Sequence, residues 1–284
     1  MSATDPGTLY IVATPIGNLE DITFRAVRVL AEVGLVACED TRRTRKLMTT
    51  YNIRNHVISL RDYNEERKAA VIIARLQAGI NVAYVTDAGT PAISDPGFAL
   101  LRAALAAGVR VAPVPGPSAV IAALSVSGLP TNSFTFLGFP PHRPSLRRRF
   151  LSSLVTEPRT LVFYESPLRV QATISEMASL WGPRPCVLAR ELTKVFEEIF
   201  RGTLTELAEQ LRNCQPRGEW TIVVGGHQEE PTADALTEEE LIARFRELQS
   251  QEGLSRREAV DRLAAETGLP RRQIYRTIHA PETD

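Results

Sequence analysis

The chain has no surplus of either charge. Its 284 residues carry 33 Lys and Arg against 33 Asp and Glu. No global basic field draws it onto a polyanion, so contact with nucleic acid must rest on local patches. Cysteine is scarce: Cys38, Cys186 and Cys214 are odd in number and form no CxxC. That argues against a disulfide framework or a thiolate zinc site and fits a reducing, cytoplasmic setting. His56, His142, His227 and His279 lack metal-ligand spacing, and no metal is expected. The patterns HExxH, GxSxG, GxxxxGK(S/T) and a post-strand GxGxxG are missing. Long apolar runs are missing too. The stretch 111–142 has no charge but is broken by Pro113, Pro115, Pro117, Gly128, Pro130, Pro140 and Pro141. Its apolar segment, 119–124, is too short to cross a bilayer and reads as a buried element. Residues 1–7 lack the features of a signal peptide.

What is present is alternation. Short apolar runs at 9–13, 35–38, 57–60, 82–86 and 109–112 predict strands, and the amphipathic stretches 22–31, 42–50, 65–78 and 97–107 predict helices. Gly79 and Gly108 supply stops for the last two. Strand–helix repetition of this kind predicts a parallel sheet covered by helices. A second alternation begins near Phe134. Strands are expected at 134–137, 160–164, 186–189, 198–200 and 220–224, and helices at 144–154, 167–180 and 204–213. The expected division is an α/β domain over 1–118, a second over 119–228, and a helical tail over 236–284. The tail has two capping-box starts, Thr237 to Glu240 and Ser255 to Glu258, then a Gly268-Leu269-Pro270 turn and a basic last segment. It reads as a helix-turn-helix, which serves nucleic-acid contact or a helical cap or dimerisation piece.

The informative residues follow the strands. Pro15, Gly17 and Asn18 follow the first, Asp87, Ala88, Gly89, Thr90 and Pro91 the fourth, and Gly116, Pro117, Ser118 and Ala119 the fifth. C-terminal ends of parallel strands share one edge, where open α/β sheets bind ligands. Glycine admits close backbone approach and proline stiffens the loop, a combination suited to a nucleotide-like ligand. Candidate carboxylates on the same logic are Asp40, Asp62, Glu65, Glu165 and Glu191, with Lys194 as a candidate base or charge. Asp40 and Glu165 also stand where a carboxylate caps a helix, and Glu191 where it pairs across an interface. Arg42, Arg43 and Arg45, and Arg147, Arg148 and Arg149, are candidates for phosphate contact; a solvated helix face is the alternative for the second group. Tyr63 or Tyr164 is suited to stacking on an unpaired base.

The strings LYIVATPIGNLEDIT, EDTRRT, DAGTPAISDPG, PGPSA, ALSVSGLPT, FYESPLR, ARELTKVFEE and GEWTIVV, in this order, resemble the small-subunit ribosomal RNA methyltransferase I family of the tetrapyrrole methylase superfamily. The resemblance runs from about Leu9 to Gly226, and the helical tail is also similar to the family's C-terminal module. It implies two α/β domains, a parallel sheet and then a mixed one, with S-adenosylmethionine in a cleft and commonly a homodimer. It implies 2′-O-methylation of a cytidine ribose in 16S rRNA of the small ribosomal subunit. The loops above would hold the cofactor, joined by Tyr164 and Thr221. One departure stands out: the family's His-Glu-(His/Asn)-Asn-Glu is here Arg61-Asp62-Tyr63-Asn64-Glu65, so an imidazole is lost. The other readings of such a chain are a porphyrinoid methyltransferase and a non-catalytic ribosome assembly factor.

Overall fold

The computed structural model describes residues 5–60, 65–212, 214–228 and 236–279. They divide into two compact units, Met1–His227 and Gln228–Asp284.

The first unit holds two five-stranded sheets. In the first, β1 (Leu9–Val12), β2 (Leu35–Cys38), β3 (Val57–Ser59), β4 (Val82–Val85) and β5 (Val111–Val114) run parallel in the order β3-β2-β4-β1-β5. Helices α1 (Phe24–Glu32), α2 (Thr41–Thr50), α3 (Glu65–Gln77) and α4 (Phe98–Ala106) connect them. The period-2 alternation of a strand splits each run between two faces. Leu35, Ala37, Val82 and Tyr84 pack with Ile72, Leu76, Leu100 and Ala104 of α3 and α4. Val36, Cys38, Ala83 and Val85 pack with Val29, Leu30 and Met48 of α1 and α2. Both faces are covered, which is why β2 and β4 are apolar throughout.

β5 lies two residues beyond its expected place. Pro113 has no N–H to give a ladder, yet it pairs in register with Ile11 because β5 is an edge strand. Val109 instead closes α4, its N–H donating to the Ala104 carbonyl.

Within the charge-free stretch, the apolar segment expected as a buried element forms α5 (Ala119–Ser127). Its Val120, Ala123 and Leu124 cover one face of the second sheet, against Val162, Val187 and Val223. That sheet contains β6 (Phe134–Phe136), β7 (Thr160–Glu165), β8 (Pro185–Arg190), β9 (Glu198–Thr203) and β10 (Trp220–Val224) in the order β6-β7-β10-β8-β9. Only β6 and β7 pair in parallel, so the sheet is mixed. Its other face carries α6 (Pro144–Ser152), α7 (Val170–Trp181) and α8 (Leu204–Arg212) around Phe163, Leu188 and Ile222.

The second unit has its own core. Helices α9 (Glu238–Ser250), α10 (Arg256–Thr267) and α11 (Arg271–Ile278) enclose Leu241, Phe245, Leu248, Val260, Leu263 and Ile274. Both capping boxes form, at Thr237 and at Ser255. Among the described residues no helix is long and apolar enough to cross a membrane.

Candidate active site

A cavity of about 340 Å³ opens where the C-terminal edge of the first sheet meets β7 and β10. Ala88, Gly89, Thr90, Ser118 and Ala119 line it from the first side, and Tyr164, Trp220 and Thr221 from the second. Ladder register explains the second wall: Tyr164 and Thr221 are cross-strand partners in the β7–β10 pair, as are Glu165 and Trp220.

The remaining loop residues hold this wall in shape. Thr14 and Gly89 exchange backbone hydrogen bonds of 2.9 and 3.0 Å, tying the loop after β1 to the loop after β4. Gly89 sits at φ +79°, left-handed backbone that a side chain would strain. The Thr90 hydroxyl points to the Pro117 carbonyl at 3.5 Å, and a Cβ on Gly116 would lie 3.1 Å from the Ala13 methyl. Pro15, Gly17, Asn18, Asp87, Pro91, Gly116 and Pro117 are not among the cavity-lining residues. Gly17 and Asn18 instead seat the first loop on the segment after β8. The Asn18 N–H donates to Thr193 Oγ1 at 3.0 Å, and a Cβ on Gly17 would meet Lys194 Cγ at 2.5 Å and Thr193 Oγ1 at 2.7 Å. Asp87 accepts the Asp40 N–H at 3.1 Å and pairs with Arg43 at 3.4 Å, anchoring the start of α2.

The candidate carboxylates fare differently. Asp40 is the N-cap of α2, accepting the Arg42 N–H at 2.8 Å and gripping the Arg42 guanidinium at 2.7 Å. Glu165 lines the cavity but is fully engaged. It pairs with Arg169 at 2.6 Å and accepts from Thr173 Oγ1 at 2.7 Å and from the Ser166 N–H at 2.8 Å. Glu191, at φ +52°, binds Lys194 Nζ at 2.8 Å and accepts the Glu219 N–H at 2.9 Å. Burial alone would raise its carboxyl, but these bonds hold it below its ordinary value. Burial alone would lower Lys194, but Glu191 and Glu219 hold its ammonium above the ordinary value. These carboxylates favour the charged form of Lys194. Asp62 and Tyr63 lie outside the described residues, as does the Glu65 side chain.

Of the arginines, Arg42, Arg43, Arg45, Arg148 and Arg149 are exposed. Arg147 is not: it is buried on α6 and bonds to Glu176 of α7 at 2.6 Å, so burial against α7 removes it from the outward-facing set.

Asp95 and Phe139 are among the cavity residues to which the sequence assigned no role. Asp95 lies in the loop between β4 and α4, in the segment 94–97 just beyond the loop 87–91, and Phe139 lies in the charge-free stretch 111–142. The available signal for Asp95 was position: it is a carboxylate in a second Gly/Pro-bounded segment after a central strand. Its neighbour Ser94 has φ +59° and Ala92 has φ +67°, backbone strain of the kind concentrated at working sites. Burial pushes the Asp95 carboxyl up to about 6; a Thr86 hydrogen bond opposes this, and the charges of Glu39 and Asp87 reinforce it. Tyr164, packed edge-on to Phe136 at 4.9 Å, is driven the same way. Burial pushes its phenol up to about 12 against a hydrogen bond from the Val120 backbone, so it stays protonated at neutral pH.

The donor set suits a nucleoside-bearing ligand. The hydroxyl-bearing residues Thr90, Ser94, Ser118 and Thr221 and the left-handed Gly89 line the space together with Ile16, Phe139, Tyr164 and Leu192. Ser118 is the N-cap residue of α5 yet makes no capping bond, leaving its hydroxyl available to the cavity.

Residues 8–208 match the model of the Tetrapyrrole (Corrin/Porphyrin) Methylases. The chain belongs to this family. Within it, the chain is 48% identical over 274 residues to a protein of Xylella fastidiosa (strain Temecula1 / ATCC 700964) named Ribosomal RNA small subunit methyltransferase I, covering 95% of this chain and 98% of that one. A protein of the same name from Halalkalibacterium halodurans is 42% identical, with 97% and 96% covered. Among solved structures, uroporphyrin-III C-methyltransferase of Thermus thermophilus complexed with S-adenyl homocysteine superposes with a TM-score of 0.55 at 21% identity, over 77% of this chain and 97% of that one. The fold is therefore that of these methylases, and the chain is a methyltransferase of the ribosomal RNA small subunit methyltransferase I group.

Proposed function

We propose that the protein methylates the 2′-oxygen of a cytidine ribose in small-subunit ribosomal RNA, with S-adenosylmethionine as donor. The observation that carries this reading is the cavity: loops after β1, β4 and β5 on one wall and Tyr164 and Thr221 on the other, in a chain similar end to end to the rRNA methyltransferases named above. The donor supplies a methyl carbon made electrophilic by its sulfonium.

The chain's own residues supply the rest. Gly89, Thr90 and Ser118 hold the donor by backbone and hydroxyl groups, and the N-terminus of α5 favours its carboxylate. Pro15, Gly17, Asn18, Asp87, Pro91, Gly116 and Pro117 keep those loops in shape. The Tyr164 phenol, protonated, donates a hydrogen bond. Asp95 accepts the proton of the acceptor hydroxyl at its carboxylate, a group suited to this at pH 7 because it is ionised there and more basic than an ordinary aspartate. Arg45, Arg148 and Arg149 contact phosphates beside a target nucleotide drawn out of its stack. The division at residues 118/119 assigns α5 to the second domain, whose sheet it covers. A second copy of the chain would cover Leu168, Val195 and Phe196, which are 94%, 93% and 73% exposed in the loops beside the cavity. The setting is the cytoplasm, with the ribosome as substrate.

The test is mass-spectrometric mapping of ribose methylation in rRNA from cells lacking the gene, alongside labelled methyl transfer to small subunits and to a porphyrinoid precursor. Loss of one cytidine mark and transfer to subunits alone are expected. Transfer to the porphyrinoid, or no transfer with the rRNA mark intact, overturns the reading.

A further inference from the structure

The second unit places its charges unevenly. Arg244, Arg262 and Arg271 are tied down by Glu247, Glu266 and Asp261. Arg256, Arg272 and Arg276 have no acidic partner among the described residues, and all three are exposed. On a helix, positions 272, 275, 276 and 279 share one stripe, opposite the stripe through 274 and 278. The core confirms this division, since Ile274 is fully buried and Ile278 packs beside the same cluster. The outward stripe therefore reads Arg272, Tyr275, Arg276, His279. Arg256, the first residue of α10, comes alongside, with Nη2 3.3 Å from His279 Nδ1.

The two rings on this stripe are nearly parallel, 3° apart, with centroids 6.3 Å apart. A flat base sandwiched between two rings needs about twice the ~3.4 Å stacking rise, or roughly 6.8 Å. Aromatic faces flanked by unpaired guanidinium groups are the elements that bind single-stranded nucleic acid: stacking for the base, charge for the backbone. Duplex RNA offers its bases to no such platform.

We infer that the exposed face of α11, with Arg256, is a binding site for unpaired RNA, distinct from the cavity. Tyr275 and His279 take a base, and Arg256, Arg272 and Arg276 take the flanking phosphates. The choice of RNA over DNA rests on the ribosomal reading above; the site itself does not.

The test uses the full chain without cofactor and a labelled unpaired 12-mer ribonucleotide, with the matching deoxyribonucleotide and RNA duplex as comparison probes. Tyr275→Ala is expected to weaken 12-mer binding roughly 5- to 100-fold. Arg272→Gln with Arg276→Gln is expected to lower the slope of log affinity against log salt by about 1.4, from about 0.7 per phosphate contact. S-adenosylhomocysteine affinity, measured by calorimetry, should be the same in every variant, which also reports that the first unit is folded. Arg272→Lys with Arg276→Lys should restore the salt slope. Unchanged 12-mer affinity in both the tyrosine and the glutamine variants, or tighter binding of the duplex than of the 12-mer, overturns the site. Equal binding of the DNA 12-mer overturns only the choice of polymer. Because no methyl transfer is read, failure of the ribosomal reading leaves this measurement standing.

Discussion

Proton acceptance at Asp95 would make methyl transfer respond to pH. With its carboxyl at about 6, the ionised fraction falls about tenfold per unit below that value. Methyl transfer to small subunits is expected to rise up to about pH 6 and level off above it. Asp95→Asn should abolish that limb and cost on the order of 10²- to 10⁴-fold in rate, with S-adenosylhomocysteine affinity unchanged. Stability supplies an independent check. A carboxyl raised in the folded state binds its proton more tightly there than in the unfolded chain, so its contribution is full below about pH 4 and is lost as pH climbs through about 6. Asp95→Asn should therefore melt above the parent protein at pH 7.5, with the gap closing near pH 4; a gap independent of pH would sink the assignment. Gly17 makes a second residue-level case. Its missing Cβ leaves room for Thr193 and Lys194, so Gly17→Ala should lower Tm by a few degrees, through about 1–3 kcal/mol of overpacking, and weaken donor binding measured by calorimetry. That glycine stood out in the sequence as part of the loop after β1, and the structure packs it against Thr193 and Lys194 instead of the cavity. The pairing itself was not legible, because spacing along a chain does not say what the backbone will approach.

Among the elements, α6 divides three consecutive arginines between two jobs. Arg147 reaches Glu176 on α7, with only 9% of its side chain exposed, while Arg148 and Arg149 face solvent. Arg147→Ala should cost about 3–5 kcal/mol by leaving the carboxylate of Glu176 without its partner. Arg148→Glu with Arg149→Glu should leave Tm within about a degree and weaken binding to small subunits in filter assays. Identical behaviour of the two sets would contradict this division. Composition cannot distinguish such neighbours, since which of three adjacent cations turns inward depends on the phase of the helix against α7. The strands were more readable. β2 and β10 lie where the apolar runs place them, because a doubly covered strand writes its burial directly into sequence. α5 was less readable, being apolar nearly all round and bracketed by proline and glycine.

At the scale of the whole molecule, the two compact units have separate cores: among the described residues, four clusters in the first and one in the second. Calorimetry is expected to resolve two transitions. Ser255→Ala removes the cap of α10 and should destabilise only the smaller one, by about 1 kcal/mol; a shift of both by the same amount would argue for a single cooperative body. The fold class, and the sheet edge at which the cavity lies, were visible from the order of runs and loops. The roles of single carboxylates were less so, because Asp40, Glu165 and Glu191 look alike in sequence and differ in who occupies their oxygens.

The clasp of Arg43 on Asp87 has a thermodynamic corollary. Asp87 immediately precedes the cavity-lining residues Ala88, Gly89 and Thr90, and Arg43 stands in the first turn of α2. Were a phosphate to draw Arg43 away, that loop would lose an anchor, and occupancy at one place would alter affinity at the other. Linkage makes the influence reciprocal: whatever factor the polymer imposes on donor binding, the donor returns to the polymer.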